Sequence, residues 1–298
     1  MTTSEWGEGV LILDGGLSNA LEDRGVDLSS ELWTARLLLD DPDQIAAVHR
    51  AYFEAGAQVA TTASYQASVP SLVASGLTRD EAERLITASV VIAGEVRDQV
   101  QSDDRRPLLV AASVGPYGAV LADGSEYRGR YGLSPAELRE FHLPRLELLA
   151  EAGPDLLAVE TIPDLDEAEV LVALLDEIGL PAWFSYAVEG SSTRAGQPLS
   201  EAYAVLADSN VIQAAGVNCS APGDVLGAIT TAVAVTGRAA VAYPNKGEDW
   251  DSETHSWRGD GQESDGLAAD WVAAGARLVG GCCRVGPADI RRLAAQLR

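Results

Sequence analysis

The sequence predicts an α/β fold, a single (β/α)8 barrel spanning residues 1–298, on three observations. Eight short apolar runs recur along the chain, amphipathic stretches separate them, and the residues able to do chemistry cluster where the runs end. The runs are Val10–Leu13, Gln58–Thr62, Leu108–Val114, Asp155–Thr161, Ala182–Val188, Ile212–Cys219, Ala239–Pro244 and Arg277–Cys282. Several are almost continuous in Val, Leu, Ala and Ile. That is the pattern of parallel strands covered on both faces, whereas a strand with one wet face alternates.

The stretches between them carry helix starts and stops. Asp41-Pro42 opens one helix, Thr78 with Glu81 and Ser134 with Glu137 make capping boxes, and Gly286-Pro287 opens the last. A faint echo repeats at Glu54-Ala55-Gly56-Ala57, Glu151-Ala152-Gly153-Pro154 and Ala273-Ala274-Gly275-Ala276. In each, a glycine closes a helix in the left-handed conformation just before a strand begins. A doubly wound open sheet is the main alternative architecture. No interdomain linker is visible, and the longest irregular stretches, Gly115–Gly132 and Asn245–Ser264, read as loops over the active-site face.

Bulk composition narrows the function classes. A hydrophobic fraction of 47% supports a sizeable core. No apolar run approaches the roughly 20 residues that span a bilayer. Met1 to Gly9 lacks the basic start and apolar stretch of a secretory signal, so a cytoplasmic location is expected. The formal charge of 21 − 45 = −24 opposes binding to nucleic acid or anionic membranes. Three cysteines, two of them adjacent, make a poor disulfide framework.

Those cysteines are Cys219, Cys282 and Cys283, some 60 residues apart, which fits no zinc-finger or ribbon spacing. In a closed barrel, however, strands six and eight are separated by one strand, and their carboxyl ends can converge. Cys282 and Cys283 can serve one ion only where the strand breaks, and Gly280-Gly281 before them offer the backbone freedom for that break. Any one of these cysteines alone reads as a small core residue. All three at strand ends, beside a double glycine, read as zinc ligands that leave a fourth tetrahedral position open, the mark of a catalytic site. A thiolate-rich zinc activates water poorly but suits another thiol, whose pKa it lowers. His49 and His142 fall in helical patterns and read as solvated or packed outside the barrel; His255 lies in the loop after strand seven and is not counted as a ligand.

With these residues in view, the sequence resembles the homocysteine S-methyltransferase family over nearly its whole length. The motifs are Leu13-Asp14-Gly15-Gly16, Ala60-Thr61-Thr62-Ala63-Ser64-Tyr65-Gln66, Val159-Glu160-Thr161, Gly216-Val217-Asn218-Cys219 and Gly280-Gly281-Cys282-Cys283-Arg284. The resemblance implies a zinc-bearing barrel with Cys219, Cys282 and Cys283 as ligands and homocysteine as methyl acceptor. It also implies Glu160 as the carboxylate for the homocysteine ammonium, which suits a strand-end charge in need of a cation. Asp14 is the second candidate for that ammonium, with Gly15 and Gly16 letting the backbone approach the substrate and Asn218 ordering the site; a turn role is open for Asp14 and Asn218.

The segments Gly124-Ser125-Glu126-Tyr127-Arg128-Gly129 and Tyr243-Pro244-Asn245 are similar to the branch that uses S-methylmethionine and, to a lesser degree, S-adenosylmethionine. Ser64, Tyr65, Glu126 and Tyr127 read first as packing and second as a donor pocket. Trp33, Trp183, Trp250, Trp257 and Trp271 read as core or loop anchors. The expected partners are therefore two small molecules, homocysteine and a sulfonium donor. The acidic surface and the lack of a C-terminal extension favour a monomer. Betaine as donor and a non-enzymatic zinc or thiol sensor are the alternatives, separated by whether homocysteine and each donor yield methionine.

Overall fold

A computed structural model of the chain describes residues 9–28, 33–247, 249–251, 256–258 and 266–298. His255 and the side chains of Trp33, Trp250 and Trp257 lie outside the described residues.

Eight parallel strands form the sheet: β1 (Leu11–Ile12), β2 (Val59–Thr61), β3 (Leu109–Val114), β4 (Leu156–Ile162), β5 (Ala182–Tyr186), β6 (Ile212–Asn218), β7 (Ala239–Tyr243) and β8 (Ala276–Val279). They follow one another around the sheet in chain order, with β8 pairing β1 through Leu11 opposite Leu278. A parallel bridge between Leu13 and Val59 closes the remaining gap. There the Gln58 amide donates to the Ile12 carbonyl at 2.7 Å and the Asp14 amide to that of Val59 at 3.2 Å. The closed barrel, and not the open sheet, is the architecture.

Period two explains the apolar runs. Leu11, Leu13, Leu109, Ala111, Leu156, Ala158, Trp183 and Val241 fill the lumen. The residues between them, among them Ile12, Val110, Leu157, Val159 and Phe184, pack outward with the helices. Both faces are dry, so the strands are mostly apolar, and their buried polar residues, Ser113, Glu160, Thr161, Ser185 and Asn218, lie in the carboxyl-terminal halves of the strands. β6 and β7 approach so closely that a Cβ on Gly216 would stand 1.9 Å from the Val241 carbonyl oxygen.

The helices are α1 (Leu17–Glu22), α2 (Trp33–Asp40) and α3 (Pro42–Ala55) after β1, then α4 (Val69–Ala74) and α5 (Arg79–Gln101) after β2. One follows each later strand: α6 (Pro135–Glu151), α7 (Leu165–Ile178), α8 (Leu199–Ala204), α9 (Pro222–Thr236), α10 (Ala268–Ala273) and α11 (Pro287–Leu297). Both expected capping boxes form, at Thr78 with Glu81 and at Ser134 with Glu137. Gly56, Gly153 and Gly275 take φ of +117°, +77° and +113° at the helix ends. The loops hold structure the sequence did not announce, among the described residues the short 3-10 turns Tyr117–Leu121 and Ser125–Tyr127 and the small antiparallel pairings of Val188–Glu189 with Ser192–Thr193 and of Asp249–Asp251 with Ser256–Arg258. Among the described residues no helix is long and apolar enough to cross a membrane.

The two helical histidines are packed, not solvated. His49 is wholly buried on α3, and burial pushes its pKa down to about 4. His142 on α6 is the centre of a relay: Arg145 Nη2 donates to its Nδ1 at 2.7 Å, and its Nε2–H donates to Glu167 Oε1 at 2.8 Å. That arrangement requires a neutral imidazole, in keeping with a pKa driven down by burial and by Arg145. The relay lies under the loop after β3, because Arg145 also donates to the Gly115 carbonyl and the Tyr117 amide donates to Glu167 Oε1 at 2.6 Å.

Candidate metal centre and active-site mouth

Cys219 follows β6 directly, and Cys282 and Cys283 follow β8 by three and four residues. The Sγ of Cys219 lies 3.0 Å from that of Cys282 and 3.6 Å from that of Cys283, and all three sulfurs fall within 4.8 Å of one another. None is in a disulfide. Among the described residues this is the one cluster of three such side chains that can hold a metal ion.

Backbone details bring the sulfurs together. Cys219 sits at φ +49° and Arg284 at φ +70°, so the chain turns sharply at both cysteine segments. The Cys282 amide donates to the Pro244 carbonyl at 2.8 Å and the Cys283 amide to Asn245 Oδ1 at 3.2 Å, which ties the pair to the end of β7. Gly280 and Gly281, expected to give the backbone freedom for the break, do not have a positive φ. They supply space. A Cβ on Gly280 would meet Leu13 Cβ at 2.6 Å, and one on Gly281 would meet Val285 Cγ1 at 2.1 Å. Gly15 and Gly16 act similarly from β1: a Cβ would stand 2.2 Å from the Val285 carbonyl oxygen and 2.8 Å from that of Cys282, respectively. These two glycines seat the cysteine loop.

The protonation of the cluster is a competition for one negative charge. Hydrogen bonds from Cys282 and Cys283, and then from the Tyr127 and Thr161 hydroxyls, pull the Cys219 thiol well below its ordinary pKa. The charge thus placed on Cys219 is the main reason the other two thiols are pushed up. Tyr127 Oη is 3.5 Å from Cys219 Sγ. Three sulfurs this close cannot all ionise unaided, and a divalent cation is what would let them.

Two buried carboxylates face the same mouth. Glu160, on β4, is 7% exposed and accepts from Ser113 Oγ; burial pushes its pKa up to about 8, with Cys219 and Asp14 adding to the rise. Asp14, 6% exposed, accepts from Thr61 Oγ1 at 2.9 Å and the Thr61 amide at 2.7 Å. Burial still raises its pKa to about 7. Asn218 is placed differently. Its Nδ2 donates to Thr161 Oγ1 at 2.8 Å, and its Oδ1 accepts from the Thr161 amide at 2.7 Å and from Ser185 Oγ at 2.9 Å. Wholly buried and occupied on both atoms, it holds Thr161 at φ +62° beside Glu160 and does not open into the mouth. Trp183 is a core anchor whose Nε1–H donates to Tyr243 Oη at 2.9 Å, and Trp271 is buried on α10.

Residues that the sequence alone did not single out complete the rim. Arg194, in the loop after β5, places its guanidinium carbon 5.8 Å from the centre of the Tyr127 ring. Asp164, the N-cap of α7, accepts from the Arg130 amide at 2.6 Å and from Gln197 Nε2 at 2.7 Å, so one carboxylate ties down two loops. Its partners come from loops distant in the chain, so this role was not legible in the sequence alone.

The residues matched by the model of the homocysteine S-methyltransferase family run from 11 to 297. The chain is 44% identical to the homocysteine S-methyltransferase YbgG of Bacillus subtilis, over 97% of this chain and 95% of that one. It is 43% identical to homocysteine S-methyltransferase 4 of Zea mays, covering 97% and 90% respectively. The metallated crystal structure of the homocysteine methyltransferase MmuM of Escherichia coli superimposes with a TM-score of 0.89 at 41% identity, covering 97% of each chain. Conjoined with the barrel and its sulfur cluster, these likenesses establish that the chain belongs to the homocysteine S-methyltransferase family.

Proposed function

We propose that the protein transfers a methyl group from a sulfonium donor, S-methylmethionine or S-adenosylmethionine, to homocysteine, giving methionine, with one Zn2+ held by Cys219, Cys282 and Cys283. The observation that carries this reading is the gathering of three free thiols within 4.8 Å at the ends of β6 and β8. An all-sulfur donor set fits zinc, and three protein ligands leave one tetrahedral position for a substrate sulfur. When bound, the metal supplies acidification of the homocysteine thiol, so that a nucleophilic sulfur exists at neutral pH.

The protein's own groups then orient and desolvate. Glu160 and Asp14 meet the homocysteine ammonium; each carries a pKa raised by burial, so each gains from a cation that stabilises its charged form. Asn218 and Ser113 hold that side of the mouth in place. Tyr127 and Thr161 donate towards Cys219 and temper the charge on its sulfur. A thiolate and a sulfonium lose their charges as they react, so a mouth walled by Tyr65, Tyr127 and Tyr243 favours the transition state over the better-hydrated reactants. Holding the two sulfur centres close and in line supplies much of the remaining acceleration. A thioether leaves without a proton, and no general acid is required.

We further read the chain as one homocysteine-binding barrel over residues 1–298, cytoplasmic and monomeric. The test is direct: zinc-loaded protein is incubated with homocysteine and each donor in turn, and methionine is measured. Methionine from S-methylmethionine, abolished by a strong chelator and restored by zinc, is the expected result. Betaine as the sole productive donor, or full turnover in the chelator, would overturn the proposal.

A further inference from the structure

Glu126 has a buried carboxylate oxygen, Oε2, that meets no hydrogen-bond partner among the described residues. An unpaired buried carboxylate is costly, and such a group persists where it meets a cation that comes and goes. Its surroundings locate it. Tyr65 feels Glu126, Cys219 and Glu160 together, so its ring lies among the metal cluster and both carboxylates. Glu126 also immediately precedes Tyr127, whose hydroxyl is 3.5 Å from Cys219 Sγ, so it stands beside the metal cluster on the loop after β3.

Arg194 is its opposite in charge. Its Nε is buried without a partner among the described residues, and an ion pair from Nη1 to Glu189 Oε1 at 3.6 Å runs to a glutamate 78% exposed. Such a pair contributes little. The guanidinium lies over the ring of Tyr127, the residue next to Glu126, and the Tyr127 hydroxyl touches Cys219. A carboxylate with one unpartnered oxygen and a guanidinium with one unpartnered nitrogen thus lie next to a tyrosine at the metal cluster.

The loops bearing them are fixed to each other. Arg130 Nη2 donates to the Ala195 carbonyl at 2.9 Å, and Asp164 takes both the Arg130 amide and Gln197 Nε2. A Cβ on Gly129 would meet Asp164 Cβ at 2.8 Å, so the β3 loop can lie here only with glycine at that point.

We infer that Glu126 and Arg194 form the subsite for the α-amino-acid end of the methyl donor, Glu126 taking its ammonium and Arg194 its carboxylate. The inference rests on the proposed sulfonium chemistry and narrows it to donors that are amino acids. Charge bookkeeping through the reaction supports ammonium over sulfonium as the partner of Glu126. A carboxylate against the sulfonium would favour the reactant, whose positive charge vanishes in the transfer, and would slow the reaction. The ammonium keeps its charge throughout, so pairing it anchors the donor with no such penalty. The acceptor's ammonium already has Glu160 and Asp14, on β4 and the end of β1.

The experiment compares steady-state kinetics of zinc-loaded wild type, E126Q and R194Q with three donors: S-methylmethionine, its des-amino analogue and its descarboxy analogue. Zinc content and circular dichroism equal to wild type show that the barrel is intact in each variant. With S-methylmethionine, E126Q should raise the donor KM about tenfold or more while the homocysteine KM moves less than about threefold. The des-amino analogue should fail to distinguish E126Q from wild type, and the descarboxy analogue should fail to distinguish R194Q. Equal losses with the whole and truncated donors, or a rise confined to the homocysteine KM, would overturn the assignment. A wild-type protein that makes no methionine from any sulfonium would instead overturn the function on which it rests.

Discussion

Two neighbouring thiols and two hydroxyls donate to Cys219 and pull its thiol well below the ordinary range, and those thiols are pushed up in turn. Removing any one sulfur leaves two ligands that cannot retain the ion. Cys283→Ala should therefore lose metal and turnover together, by at least about a thousandfold in methionine formation, as read by zinc stoichiometry beside activity. The carboxylates make a pH prediction. Glu160 titrates at an ordinary 4.5 when unfolded and at about 8 when folded, and Asp14 at 3.8 and about 7. Between those values the folded state keeps protons that the unfolded chain has released. Stability of the metal-free protein should thus be greatest below about pH 4 on their account and fall as pH rises to about 8. Urea unfolding at pH 5 and pH 8 should show the decline, and Glu160→Gln should flatten its upper part. A wild type more stable at pH 8 than at pH 5 would reverse the sign. Glu160 and the cysteines were legible as strand-end polar residues; Asn218 was visible too, but its partners Thr161 and Ser185 come from other strands, and only packing shows that its side chain is spent on them.

Each loop is held by an element that the mouth does not contain. Asp164 caps α7 and binds the loops after β3 and β5, so Asp164→Ala should lower stability by about 1–3 kcal/mol in urea unfolding and raise the donor KM more than the homocysteine KM. The His142 relay is the second support. Glu167→Ala leaves Arg145 buried with its counter-charge gone and should cost about 3–5 kcal/mol in the same assay, whereas Glu167→Gln keeps the acceptor for His142 and should cost less. Equal losses in the two variants would deny the acceptor for His142 any part, since both remove the charge. The eight strands and their helices could be read because a barrel strand is dry on both faces and its helix ends in a left-handed glycine, as at Gly56, Gly153 and Gly275. The 3-10 turns over 117–127 and the relay beneath them could not, since His142, Arg145 and Glu167 meet only when α6 packs on α7.

For the molecule as a whole, barrel closure and the metal cluster are one construction. β1 is two residues long and meets β2 through a single bridge, while Gly15 and Gly16 after it make room for the Val285 and Cys282 carbonyls. The cluster in turn joins the ends of β6 and β8 across β7. Metal bound to the folded state alone should stabilise by about 2.7 kcal/mol at a hundredfold excess over Kd, seen as a higher Tm of loaded over stripped protein. Gly15→Ala should keep the circular dichroism of the barrel but lose metal, because its clash is with the backbone of the cysteine loop.

The measurement that reaches the central claim most directly is zinc K-edge X-ray absorption of the loaded protein with and without homocysteine. Three sulfurs at about 2.3 Å are expected in the free protein, with a fourth, lighter neighbour replaced by sulfur when homocysteine is added. A shell of nitrogen and oxygen ligands, or a sulfur count that stays at three with homocysteine bound, would contradict it.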